Sequence, residues 1–142
     1  MGEVIEVRAE KVLARERRRL EKVDSIRGLE LWRDELVKRN AIRDGAYGCP
    51  LGSMANEIAD QDEEGRQKVA SHFDEWLQLL TDALDRLKTN GVLNEDADSR
   101  VLANGLLVAV QGGYLLAKTF RDVQPMRVAL DMAIAHVRMF SS

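Results

Sequence analysis

Few residues of this chain have the types and spacings that covalent chemistry needs. The chain contains one cysteine, Cys49, and two histidines, His72 and His136. A single thiol excludes an internal disulfide and fits a reducing compartment, and neither histidine belongs to a metal-binding spacing such as HExxH. The sequence also lacks a GxSxG nucleophile turn, a phosphate-binding P-loop and a GxGxxG turn. We therefore expect no enzyme, no metal and no cofactor.

The polar groups best placed for binding a ligand, Gln111 and Tyr114, lie in a segment without charge. No residue from Val101 to Ala117 is charged, although 32% of the chain is. Its Leu, Ala and Val content predicts a helix, and a helix that is apolar all round must be buried all round. One face can pack on the chain's own core. The opposite face must be buried by something else, most simply by the same helix of a second copy of the chain.

Of these two residues, Gln111 is the one whose position most needs an explanation. A neutral amide inside an apolar helix costs free energy unless it is hydrogen-bonded. Three explanations are open: Gln111 bonds across a dimer, bonds a ligand, or lies at a wet edge. The sequence alone does not choose between them.

The uncharged segment is a poor membrane span. Its length is at the lower limit for crossing a bilayer, and it contains Asn104, Gln111 and three glycines. No second span, aromatic belt or signal-type N-terminus accompanies it. We expect a cytoplasmic protein that makes no contact with membranes.

The composition predicts an all-helical protein. The chain has 142 residues, a length typical of one domain, with 45% hydrophobic residues, 5% aromatic residues and two prolines. A net charge of -3 argues against a general polyanion binder. The front third is mildly basic, and its run from Arg15 to Arg19 is interpreted as a solvated helix face.

Apolar periodicity and capping residues predict about six helices. The first runs from about Glu3 to Lys22, with a thin apolar stripe that suggests light anchoring. The predicted boundaries of the other helices are as follows: a cap at Asp24 or Ser25 and a stop at Gly45 for the second; Ser53 capping Met54–Ala59; Asp60 or Asp62 and Asn90-Gly91 for the fourth; Asp96 or Asp98 for the fifth; and Pro125 opening the last.

The last two helices are predicted to form a dimer interface. Both are apolar on more than one face, so two from each subunit would make a four-helix contact, and small residues would permit close approach. The predicted interface residues are Leu102, Leu106, Ala109, Val110, Gly112, Gly113, Ala117, Val128, Met132, Ala135 and Met139.

The order of these parts resembles the C-terminal domain of tetracycline-repressor (TetR) family transcription regulators. The chain looks closest to the LmrA/YxaF-like subgroup. The resemblance rests on Gly48 to Ser53, Phe73 and Trp76, Gly91 to Asp98, Leu106 to Ala117, and the closing Arg121-Asp122 with Pro125, Arg127 and Ala129 to Asp131. Together these pieces cover roughly Asp24 to the end.

The resemblance implies a helical bundle that dimerises through its last two helices and senses a small, largely apolar or aromatic effector. It implies a repressor that the effector releases. The family's DNA-binding domain would precede this region, so residues 1–22 would be the linker helix and residues 1–142 one ligand-binding and dimerisation domain. Contact with DNA is then expected only through that missing domain. The alternative is a helical homodimerisation module without a ligand.

A pocket between the earlier helices would bind the effector. It needs apolar walls with a few polar groups. The predicted pocket residues are Trp32, Leu36, Cys49, Met54, Phe73, Trp76, Leu77, Leu80, Gln111 and Tyr114. Each of them could equally be a packed core residue.

Overall fold

The computed structural model describes residues 2–42, 48–58 and 61–142, and in these ranges the fold is all-α, as the sequence predicts. The helices are α1 (Gly2–Leu20), α2 (Ile26–Ala41), α3 (Pro50–Ile58), α4 (Glu63–Thr89), α5 (Ser99–Phe120) and α6 (Gln124–Arg138). α5 lies between α4 and α6, and α1 packs against α2, α3 and α4. The prediction of about six helices is confirmed.

Side-chain caps set the starts of three helices. Ser25 Oγ accepts a hydrogen bond from Gly28 N at 2.9 Å, and Asp62 and Asp98 cap α4 and α5 in the same way. Each bond satisfies a backbone N–H that has no partner within the helix. Pro125 lies in the first turn of α6, as predicted.

The start of α3 was predicted wrongly. The helix begins at Pro50, and Ser53 lies inside it, with its N–H donating to the carbonyl of Cys49 at 2.9 Å. Proline fits the first helical position because its φ is fixed near the helical value and its missing N–H would have had no partner there. The predicted residues Gly45, Ala59 and Asp60 lie outside the described ranges.

Helix α1 is anchored more firmly than its thin apolar stripe suggested. Its buried apolar residues are Ile5, Ala9, Val12, Leu13 and Leu20. At its C-terminal end, Arg86 of α4 donates from Nη2 to the carbonyl of Leu20 and from Nε to that of Val23, the latter at 3.1 Å. The last carbonyls of a helix have no partner within it, so this one arginine ties the end of α1 to α4.

The arginine-rich run of α1 is not a uniformly solvated face. Arg17 and Arg18 are exposed, but the Glu16 between the arginines is fully buried. Trp32 of α2 donates from Nε1 to Oε1 of Glu16 at 3.2 Å. Burial raises the pKa of Glu16, although this hydrogen bond opposes the rise. The run therefore contains a buried acid that joins α1 to α2.

Close packing of α5 on α6 depends on Gly113. A Cβ added to this residue would lie 2.8 Å from Cα of Met126, closer than real side chains approach a backbone. By length and composition α5 could cross a membrane. Its inward face nevertheless packs on α4 and α6, which makes it the central helix of this domain.

Candidate ligand cavity and dimer face

A cavity of about 630 Å³ lies between α3 and α5. This volume is within the usual range for small-molecule sites. Its apolar wall includes Ala55, Phe73, Leu107, Val108 and Leu115. Polar atoms make up the smaller part of the cavity surface, and they come from Ser53, Asn56, Glu57, Gln111, Tyr114 and Lys118.

The amide of Gln111 is fixed against α3. Its Nε2 lies 3.6 Å from Sγ of Cys49, and a Cβ on Gly52 would collide with its Oε1. Gln111 thus has a partner in its own subunit, which none of the three explanations had considered. Burial raises the pKa of Cys49, which disfavours the thiolate form that a nucleophilic cysteine requires.

Two aromatic residues complete the inner wall. Tyr114 is buried, and burial raises the pKa of its hydroxyl, which stays protonated. Phe73 is half-buried and stacks on Trp76, with 6.4 Å between the ring centroids and 13° between the planes. Phe73 faces the cavity, and Trp76 forms the layer behind it.

Four of the ten predicted pocket residues line this cavity, namely Cys49, Phe73, Gln111 and Tyr114. The other six are corrected to core positions, because they point into the bundle and pack against other helices: Trp32, Leu36, Met54, Trp76, Leu77 and Leu80. Both sets carry the same residue types at helical spacing. Only the way the helices pack separates the wall from the core.

A second cavity, of about 340 Å³, adjoins the first. Gly48 and Tyr114 line both, while Arg15, Arg39 and Asn40 line the second alone. This cavity was not predicted from the sequence, since these side chains come from α1 and α2 and look like ordinary surface residues. A hint was available in Asn40, a polar residue at a position where α2 turns inward.

An exposed apolar stripe runs along α6. Val128, Met132, Ala135 and Met139 recur at helical spacing on its outer side, and Met132 is 69% exposed. All four were predicted to be interface residues, and all four are exposed in the described part of the subunit. Next to α6, the outer side of α5 exposes a second set of apolar residues, Val101, Val108, Leu115 and Leu116.

Five predicted interface residues of α5 are corrected to the subunit's own core. They face α4 and α6, and they are Leu102, Leu106, Val110, Gly113 and Ala117. Gly113 is small because α6 approaches it, not because a second subunit does. Ala109 is half-buried, and Gly112 is exposed, with nothing within 4 Å of the place where a Cβ would be. The free face of α5 is therefore rotated away from the predicted one.

One family model matches the chain. It describes the C-terminal domain of LmrA/YxaF-like transcriptional regulators and covers residues 25–132, from the cap of α2 into α6. Comparisons with curated proteins and with solved structures gave no match. The matched segment contains the whole lining of the larger cavity and, of the exposed stripe, Val128 and Met132. The chain therefore belongs to the LmrA/YxaF-like C-terminal domains of TetR-type transcriptional regulators.

Proposed function

We propose that this chain is the effector-sensing and dimerising domain of a cytoplasmic transcriptional repressor. The effector is a small, largely apolar molecule, and its binding releases the repressor from DNA. The observation that carries this proposal is the 630 Å³ cavity between α3 and α5. Apolar walls with few polar groups are what a site for such a molecule requires.

Dimerisation through α5 and α6 is the second part of the proposal. Contiguous exposed apolar surface is uncommon on monomeric proteins and marks interaction sites. Met132 and Met139 are 69% and 78% exposed, and a two-fold axis beside α6 would bury both together with the outer side of α5. Homodimers commonly bury apolar faces of this kind.

The proposed effector site and dimer face share residues of α5. Val108, Gly112 and Leu115 line the cavity and are also exposed on the outer side of the helix. A second subunit on that side would close the outer wall of the cavity. Effector binding and dimerisation would then strengthen each other, since coupling between two sites is reciprocal.

Helix α1 is proposed to carry the signal towards a DNA-binding unit. Arg15 of α1 and Tyr114 of α5 line the same smaller cavity, which adjoins the effector site. An effector that favours one position of α1 over another would shift the population of the two arrangements. A changed spacing between the DNA-binding units of a dimer would lower operator affinity, because both half-sites must be met at once.

The proposal is tested with the neutral fluorophore N-phenyl-1-naphthylamine, which brightens in apolar sites. We expect saturable binding, with a dimer mass by light scattering. Ala55→Trp should fill the cavity and abolish the signal. Ala70→Trp, on the exposed side of α4, should leave it unchanged.

Absence of fluorophore binding by a folded dimer would contradict the sensing role and favour a homodimerisation module without a ligand. A monomer at high protein concentration would contradict the dimer face. Equal binding by the two tryptophan variants would place the fluorophore outside the cavity.

A further inference from the structure

The two adjoining cavities point to the chemical class of the effector. We infer that the effector is an amphipathic carboxylic acid, with its apolar body in the larger cavity and its carboxylate between Arg15 and Arg39 in the smaller one. This inference rests on the proposed sensing function and adds a charged group to a ligand that is otherwise apolar.

The cavities differ in character and meet at one place. The larger has mostly apolar walls, and the smaller is lined by two arginines and an amide. Gly48 and Tyr114 belong to both, so a molecule that passes Tyr114 would reach from one into the other. A ligand complementary to the pair has an apolar part and an acidic end.

The two arginines bring like charges together in a partly buried space. Arg15 is half-buried, and burial, followed by the nearby charge of Arg39, lowers its pKa. Within residues 2–42, 48–58 and 61–142, neither guanidinium forms an ion pair, and Nε of Arg15 is buried without a hydrogen-bond partner. A carboxylate fits such a pair because arginine presents several N–H donors in a planar fork.

Among the described residues, the acid nearest to Arg15 in sequence is bonded elsewhere. Glu16 is the next residue on α1, but its Oε1 accepts from Trp32. The amide of Asn40 is also incompletely bonded: Nδ2 lies 3.6 Å from Sδ of Met126, a weak acceptor. Oδ1 of Asn40 is buried without a partner in the described part of the chain. The smaller cavity is thus lined by residues with polar atoms that have no hydrogen-bond partner in the described part of the chain, as a site for a ligand's polar end would be.

The larger cavity contains a cation of its own, but this cation is a weaker candidate for binding the carboxylate. Lys118 lines it and is exposed, and the same lining includes the acidic Glu57. Arg15 is half-buried and is therefore farther from bulk water than Lys118, and a charged hydrogen bond contributes more away from bulk water. Because Arg15 belongs to α1, a carboxylate there would touch the helix proposed to carry the signal.

The test displaces N-phenyl-1-naphthylamine with two matched competitors, decanoate and 1-decanol, at neutral pH. Decanoate is kept below its micelle concentration and decanol below its solubility in water. Both have the same chain, and only decanoate is charged. We expect decanoate to compete at least about tenfold better than decanol, the effect of one charge-assisted bond. Arg15→Met and Arg39→Met should each remove most of that advantage and leave decanol unchanged.

Controls separate the arginine pair from other cations and from misfolding. Arg18→Met changes an exposed arginine of α1, and Lys118→Met changes the cation of the larger cavity. Both should keep the preference for decanoate. Since Arg39 is exposed on α2, its variant tests the inference even if Arg15→Met unfolds.

Equal competition by decanoate and decanol in the unmodified chain would overturn the inference while the fluorophore still reports a cavity. Loss of the preference in Lys118→Met alone would overturn it too, by placing the charge at the other cation. Failure of the fluorophore to bind at all would instead count against the proposed function.

Discussion

Replacing Met132 with lysine is the most direct perturbation of the proposed dimer face. Burying a whole methionine side chain is worth about 1.5–3 kcal/mol. Met132 is 69% exposed in the subunit, so burying the exposed part of this side chain on dimerisation would stabilise the dimer by about 1–2 kcal/mol for each copy. A two-fold contact doubles this to about 2–4 kcal/mol, so the dissociation constant should rise about 30- to 1,000-fold. Desolvation of the new ammonium group would raise it further.

Sedimentation velocity over a dilution series measures this dissociation constant. The matched control is Val7→Lys, which adds the same charge at another exposed apolar position, on α1. Circular dichroism should show the same helix content in both variants, because neither residue is buried. If Met132→Lys dissociates no more readily than Val7→Lys, the subunits do not meet on the outer side of α6.

Two further predictions concern the packing of α5 and the buried acid of α1. In the Met132→Lys background, Gly113→Ala should lower the free energy of unfolding by about 1–3 kcal/mol, because its Cβ would lie 2.8 Å from Cα of Met126. Gly112→Ala should raise that free energy by about 0.5–1 kcal/mol, because its Cβ meets nothing within 4 Å and alanine favours the helix. Urea denaturation measures both changes, and changes of the same sign would refute the α5–α6 contact. Burial raises the folded-state pKa of Glu16, so the stabilisation from its protonated form is lost as pH rises from about 4.5 through that pKa; Glu16→Gln should flatten this dependence in denaturation curves, and parallel curves for the two proteins would mean that the carboxyl is solvated.

Local signals in the sequence predicted most of the fold. Asp62 and Asp98 cap their helices as expected, because a cap depends on neighbouring backbone groups only. The start of α3 was missed because Pro50 suits both a turn and a first helical position. Contacts with distant parts of the chain decide between the two. One of them is the packing of Gln111 on Gly52, which are 59 positions apart in the sequence.

The orientation of α5 was beyond the reach of the sequence. Leu106 is buried and Val108 is exposed, yet both are aliphatic residues of one uncharged helix. A helix that is apolar all round has no polar side to mark the outward direction. The docking of α6 at Gly113 decides which face turns inward.

The candidate site was predicted in part for a related reason. Cys49 and Tyr114 were chosen for their setting in a turn and an uncharged helix, and both line the cavity. Arg15 was assigned to a solvated face because charged runs usually are solvated. Its place beside Tyr114 depends on how α1 crosses the bundle, a long-range property.

The tie from Arg86 to the end of α1 has a mechanical consequence. Because the carbonyls of Leu20 and Val23 are hydrogen-bonded to Arg86 of α4, we expect any tilt of α1 to pivot about this end, which is called the fulcrum below. α1 has 19 residues and is about 28 Å long. A tilt of only about 5° about this end would displace the N-terminal end by about 2.5 Å, which is more than the rise of about 1.5 Å per residue along a helix. Arg15 lies near the fulcrum, so a small displacement there would become a larger one at the opposite end.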